Sequence, residues 1–235
     1  MTQEAVHKFI ASSLTRQSRE EQALKERIVI TISRDTGCEG TTLAENLVGL
    51  LNLSARQRKS KATWKYVSRE ILEQSAEKLN LHPDKVTWLL DVQDKNMLEE
   101  MLLGLSSQNY PSDLKIKNTL KSVIKSIAEQ GNVVILGRGG VAIIGHTPKT
   151  LHVKLTAPLD WRVRQVQNQE NLSAEKAKQW IEQSDHDREA LKTFYMGRKI
   201  TYGDYDLVFN MSTLSEEEIA KAIREVVISR VEGTK

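Results

Sequence analysis

Five short β-branched runs, each separated from the next by a stretch of helical periodicity, limit what this chain can fold into more than any other feature. The runs are Arg27–Ser33 (RIVITIS), Thr63–Val67 (TWKYV), Asn132–Leu136 (NVVIL), Thr150–Leu155 (TLHVKL) and Tyr205–Asn210 (YDLVFN). Runs this short and this apolar suit strands covered on both faces. The covering layers come from the stretches between them. Leu43, Ala44, Leu47, Leu50 and Leu51 fall at helical spacing, as do Leu120, Ile124 and Ile127 in a helix from Asp113 to about Gln130. Further helices are expected over Ser68–Asn80, Asp84–Leu105, Pro158–Gln169, Ser173–Gly197 and Ser215–Glu232, with Asn52–Ala62 as a loop. Strands alternating with helices predict an α/β fold built on a parallel sheet.

At 235 residues and 39% hydrophobic, the chain suits one α/β domain with an inserted subdomain, or two small domains, with a core large enough to need no staple. Its single cysteine, Cys38, excludes an intrachain disulfide and fits a reducing compartment. The opening residues lack a basic segment followed by a long apolar run, and no stretch reaches the roughly 18 to 20 apolar residues of a membrane helix. A cytoplasmic protein with no membrane partner is therefore expected. With 34 basic against 31 acidic residues and a net charge of +3, the balance gives no argument for a nucleic-acid partner; the basic run Arg56–Lys61 reads as a solvated loop. Residues 3–26 can form an amphipathic helix that docks on the domain or joins copies into a homo-oligomer. The five histidines show no metal-ligand spacing.

The chemistry is concentrated after the first strand, at Arg34-Asp35-Thr36-Gly37-Cys38-Glu39-Gly40-Thr41-Thr42. A strand, a glycine turn and a helix in that order place backbone N–H groups at a helix N-terminus, where they bind phosphate. The full phosphate-loop pattern, G-x-x-x-x-G-K-S/T, is not met. Gly37 is one glycine of the turn and Thr42 stands where a magnesium-binding hydroxyl is expected. Gly40 takes the approximate place of the lysine, and Glu39 sits where glycine is usual. Arg34, at the end of the strand, is the candidate to replace the missing charge, because a guanidinium fits phosphate oxygens bidentately. A carboxylate at position 39 should repel nucleotide unless it points outward or holds magnesium.

Ile30–Ala44 (ITISRDTGCEGTTLA) resembles the I-S-R-E-x-G-S-G-G-x-x-I-A opening of the cytidylate-kinase-like proteins, which themselves lack the lysine. Ser33, Arg34, Gly37 and Gly40 match, Asp35 is conservative, and Cys38 and Glu39 depart from the family's Ser-Gly. The resemblance continues at Tyr66–Ile71, at Leu136-Gly137-Arg138-Gly139-Gly140, at Ala157-Pro158-Leu159 with Arg162, at Asp187-Arg188 and at Tyr205–Asn210. It runs in order over most of the chain, leaving residues 1–26 as an N-terminal helical extension.

The resemblance implies a three-layer P-loop kinase fold over 27–235. A helical substrate-binding insert would lie at about 68–131 and a helical lid at about 157–203. It implies ATP as donor, Mg²⁺ as its companion ion, and a pyrimidine monophosphate such as CMP or dCMP as acceptor, so that the partners are small nucleotides. Gly37, Cys38, Glu39, Gly40, Thr41 and Thr42 would form the ATP-phosphate site, with Thr42 on the metal. Arg34, Asp35, Arg138 and Arg162 would serve catalysis. Ser68, Arg69, Arg138 and Arg188 would hold the acceptor. Asp35 reads either as a group orienting the acceptor or a magnesium-bound water, or as a turn cap; Arg164 reads equally as helix surface. Cys38, near a helix N-terminus, invites a lowered thiol pKa, though a small turn residue is the plainer reading. A nucleotide-binding or sensing protein without turnover, or a kinase of another small acceptor, stands as the alternative.

Overall fold

The computed structural model describes residues 27–67 and 113–233. The expected helices over 3–26, 68–80 and 84–105, and with them Ser68 and Arg69, lie outside the described residues. All five expected strands form: β1 (Val29–Arg34), β2 (Lys65–Val67), β3 (Val133–Leu136), β4 (Thr150–Thr156) and β5 (Leu207–Asn210). They make one sheet in the order β2-β3-β1-β4-β5, and every pairing is parallel. The helices are α1 (Thr41–Gln57), α2 (Asp113–Gln130), α3 (Gly140–Ile144), α4 (Leu159–Glu170), α5 (Ala174–Met196) and α6 (Glu216–Glu232).

Strand alternation sends side chains to two separate cores. Ile30, Ile32, Val134, Leu136, Leu151, Val153 and Leu155 pack with Leu43 and Leu47 of α1 and Ile219 and Ile223 of α6. Val29, Val133 and Ile135 pack on the other side with Val123, Ile124 and Ile127 of α2, Val141 of α3 and Tyr195 of α5. The result is a three-layer α/β arrangement with helices on both faces of the sheet. Among the described residues no helix is long and apolar enough to cross a membrane.

Two local expectations change. The stretch from Asn52, expected as a loop, continues α1 to Gln57. Ser54 and Ala55 are buried, and Ser54 Oγ donates to the Leu50 carbonyl four residues back, so a polar-looking stretch is helical through its packing. Directly after Gly137-Arg138-Gly139 comes α3, a single turn too short to give a periodic signal. It exists because Gly140, Val141, Ala142 and Ile143 are all buried.

The second face of β4 is unusual for a central parallel strand. Thr150, His152 and Lys154 are buried there beside Leu151, Val153 and Leu155 on the opposite face. His152 is satisfied as a neutral ring: its Nδ1 lies 2.7 Å from Thr31 Oγ1 and its Nε2 2.9 Å from the Gly145 carbonyl. Burial holds its pKa below the usual value.

Candidate functional site

Ligands of open parallel sheets gather at the carboxyl ends of the strands, and two glycine turns meet there. The first joins β1 to α1 and the second joins β3 to α3. Their strands are neighbours, with Ile32 opposite Leu136, and the Gly137 amide donates to the Ile32 carbonyl at 2.8 Å.

In the first turn Gly37 has φ 90°, and an added Cβ would lie 2.9 Å from the Arg162 carbonyl oxygen. Both the backbone conformation and the closeness of α4 require glycine. Gly40 is a glycine for room alone: a Cβ would meet Leu136 Cδ1 at 2.9 Å and Arg34 Cδ at 3.2 Å. The Arg34 side chain therefore runs across the start of α1. Its Nη1 reaches within 3.2 Å of where a Cβ of Gly137 would be. One guanidinium thus stands between the two turns.

Glu39 turns onto the start of α1. Its Oε1 accepts from the Gly40 and Thr41 amides, at 3.2 Å each. Burial alone would raise this carboxyl, but the bonds from the backbone and hydroxyl of Thr41 and from the Gly40 amide outweigh it and hold it below the usual range. The carboxylate caps the helix that the turn would offer to phosphate. Thr41 and Thr42 are exposed.

Asp35 is more constrained than the sequence suggests. Its Oδ1 receives the Lys154 ammonium, and its Oδ2 accepts from Thr156 Oγ1 at 2.6 Å. Burial would raise this carboxyl too, yet Lys154 and Thr156 together keep it below its usual value. Asp35, expected either to orient the acceptor or a magnesium-bound water or to cap the turn, is held as an ionised, two-point anchor. Its backbone caps as well: the Cys38 amide donates to the Asp35 carbonyl at 3.0 Å. Cys38 is buried, and burial pushes its thiol up to about 12, with Asp35 adding to the effect and Arg162 and Lys154 opposing it. The lowered pKa expected from the helix N-terminus is overturned by desolvation, and the thiol is an inert packing group.

Arg162, expected to serve catalysis, is engaged within the protein. Its Nη1 donates to Asp185 Oδ2 at 2.7 Å and to the Thr36 carbonyl at 3.2 Å, and its Nε to the Ala157 carbonyl at 3.2 Å. Asp185 Oδ1 in turn accepts from the Thr36 amide at 2.8 Å. Helices α4 and α5 thereby clasp the first turn. Arg188, on the same face of α5, donates to the Arg34 carbonyl at 3.0 Å. Burial lowers its pKa against the opposing pull of Asp185 and Asp35. Arg164 is exposed. In the second turn Gly137, Arg138 and Gly139 all adopt left-handed backbone, with φ 72°, 57° and 69°. A non-glycine residue held there is strained.

Of the residues expected from sequence, Arg34, Asp35, Gly37, Cys38, Glu39, Gly40, Thr41, Thr42, Arg138, Arg162 and Arg188 come together at this one edge. Lys154, Thr156 and Asp185 were missed. A signal for Lys154 was present: the polar alternation Thr150, His152, Lys154, Thr156 in a strand that should be apolar on both faces. Among the described residues no group of three or more His, Cys, Asp or Glu could hold a metal ion. The exposed hydroxyls of Thr41 and Thr42 are oxygen donors of the kind a Mg²⁺ carried in by phosphate would accept.

A model of the Cytidylate kinase-like family matches residues 29–213. A cytidylate kinase of Sulfolobus acidocaldarius is 30% identical over 124 residues, which are 52% of this chain and 66% of that protein. A Corynebacterium glutamicum protein named uronate isomerase is 28% identical over 139 residues, 59% of this chain and 26% of that one. The match thus spans just under two thirds of one relative and about a quarter of the other. Among solved structures, an uncharacterized protein from Eubacterium ventriosum superposes with a TM-score of 0.59 at 19% identity, over 86% of this chain and 99% of that one. At that identity the likeness is one of fold.

Proposed function

The chain belongs to the cytidylate kinase-like family, and from that premise we propose that it transfers the γ-phosphoryl group of ATP to a nucleoside monophosphate, with a (deoxy)cytidylate as acceptor. In that reaction the bond from the γ-phosphorus to its bridging oxygen breaks, a bond to an acceptor phosphate oxygen forms, and ADP leaves. The observation that carries the reading is the meeting of two glycine turns at the sheet edge with the Arg34 guanidinium between them.

Phosphoryl transfer asks the protein for positioned positive charge more than for a covalent group. The amides from Gly37 to Thr42 and the Arg34 guanidinium would hold the donor's phosphate chain. Arg138, on its strained turn, would face the transferring group. Arg188, with Ser68 and Arg69, would bind the acceptor. Mg²⁺, when bound beside Thr42, would supply charge neutralisation on the phosphates. Lys154 and Asp185 would fix the turn's shape through Asp35 and Thr36.

The test is ADP release in the presence of Mg²⁺ and ATP across a panel of monophosphates. The largest rate is expected with CMP or dCMP. ATP binding without ADP release for any acceptor would sink the enzymatic reading. It would favour the second one, a nucleotide-binding or sensing protein, which the Glu39 contact with the helix amides and the Arg162–Asp185 ion pair support.

A further inference from the structure

Glu39 is the place where the turn departs most from a phosphate loop, and its side chain takes the position of the ligand. The Oε1 atom receives the two amides, Gly40 and Thr41, that open α1. These are groups a phosphate oxygen would use at a helix N-terminus. The same turn holds a second polar group awaiting a partner: Thr36 is buried, and its Oγ1 has no hydrogen-bond partner. The carboxylate also faces charge on two sides, the Arg34 guanidinium and the Glu216 carboxyl at the start of α6.

We propose that Glu39 is an internal competitor for the donor's phosphate chain, a specificity-determining residue that the phosphates of ATP must displace from the Gly40 and Thr41 amides. This rests on the donor site assigned under the proposed function. The competition has a defined selectivity. A ligand that places phosphate on those amides must displace the carboxylate, so its affinity is lowered by the strength of that contact. A ligand bound elsewhere is unaffected. Glu39 therefore weakens the donor and inorganic polyphosphate, and leaves the acceptor monophosphate alone. It also biases the turn against anions too weakly bound to displace a carboxylate held by two amides.

The experiment is calorimetric titration of the full chain with Mg·ATP, with sodium tripolyphosphate and with CMP. It compares the wild type with Glu39→Gly, Glu39→Gln and Glu216→Gln. Glu39→Gly should bind ATP and tripolyphosphate about tenfold tighter, the gain expected for removing about 1.4 kcal/mol of competition. Glu39→Gln should fall between, because its carbonyl oxygen still accepts weakly. CMP affinity should stay within about twofold in both, which a general loosening of the turn would not allow. Glu216→Gln removes a neighbouring charge without touching the amides and should change ATP affinity by less than about twofold. Unchanged or weakened ATP binding in both Glu39 variants overturns the proposal, as does an equal gain from Glu216→Gln, which would reduce the effect to field alone. If ATP and tripolyphosphate bind neither wild type nor variant, the donor site itself fails and the proposal falls with it. Equal binding to both removes the proposal and leaves the donor site standing.

Discussion

The two glycine turns at the sheet edge are held by opposite means. The first, from Asp35 to Gly40, is held by the protein's own charges: Lys154 on Asp35, Asp185 on the Thr36 amide, Glu39 on the helix amides. The second, Gly137 to Gly139, carries three consecutive left-handed residues, one of them arginine. One turn spends polar groups to reach a relaxed shape. The other keeps a strained shape so that an arginine stands between two glycines, where strain of this kind commonly marks a functional position. The difference teaches that the first turn should fail by losing charges and the second by losing tension.

The largest effect should come from Lys154→Met, which leaves the Asp35 carboxylate partly buried without its ammonium. Loss of one member of such a pair should lower unfolding stability by about 3 kcal/mol in a urea titration. Adding Asp35→Asn should restore most of it. Next, Arg34→Ala should reduce kcat/KM for ADP release by about a hundredfold with little change in melting temperature. Near-normal turnover would remove the bridge between the turns from the mechanism. Arg138→Gly should move stability and activity in opposite directions, gaining about 1 kcal/mol by relieving a left-handed non-glycine residue while losing phosphoryl transfer. A loss of stability would mean that the turn is not strained.

The smallest effect is one of pH. His152 latches the end of the α3 region through the Gly145 carbonyl, and its folded pKa lies below 6.5. The unfolded chain therefore takes up the proton first, and this support is complete above about 6.5 and declines as pH falls below it. The ring also meets His146 at 4.7 Å between centroids and feels Asp206 and Arg230. The first turn depends on Asp35 and Glu39, both held below their usual values of 3.8 and 4.5. That support lasts down to those values and is lost only as pH falls through the lower folded ones. Hydrogen exchange corrected for intrinsic rates should show residues 140–145 loosening near pH 6 while 36–41 stay protected to about pH 4.

Much of the architecture could be read from the sequence because strand and helix periods leave direct marks: five apolar runs became five parallel strands. The position of the two glycine turns was equally legible, since a glycine turn between a strand and a helix admits few other placements. Their internal wiring was not. That Lys154 would reach Asp35, or Asp185 the Thr36 amide 149 positions away in the chain, depends on which side chains the sheet order brings together. No local pattern encodes that. The Cys38 thiol went the other way from expectation because helix-end electrostatics were visible in the sequence and burial was not. The sequence presents Glu39 as a charge that repels nucleotide unless it points outward or holds magnesium; its contact with the helix amides is a matter of side-chain conformation.

The central claim is that the amides opening α1 receive the donor's phosphates. It is tested most directly by following the Gly40 and Thr41 amide resonances during titration with Mg·ATP. Saturable shifts of both, reproduced by tripolyphosphate and absent with cytidine, are the predicted result. ATP that binds and shifts other resonances while leaving those two unmoved would contradict it.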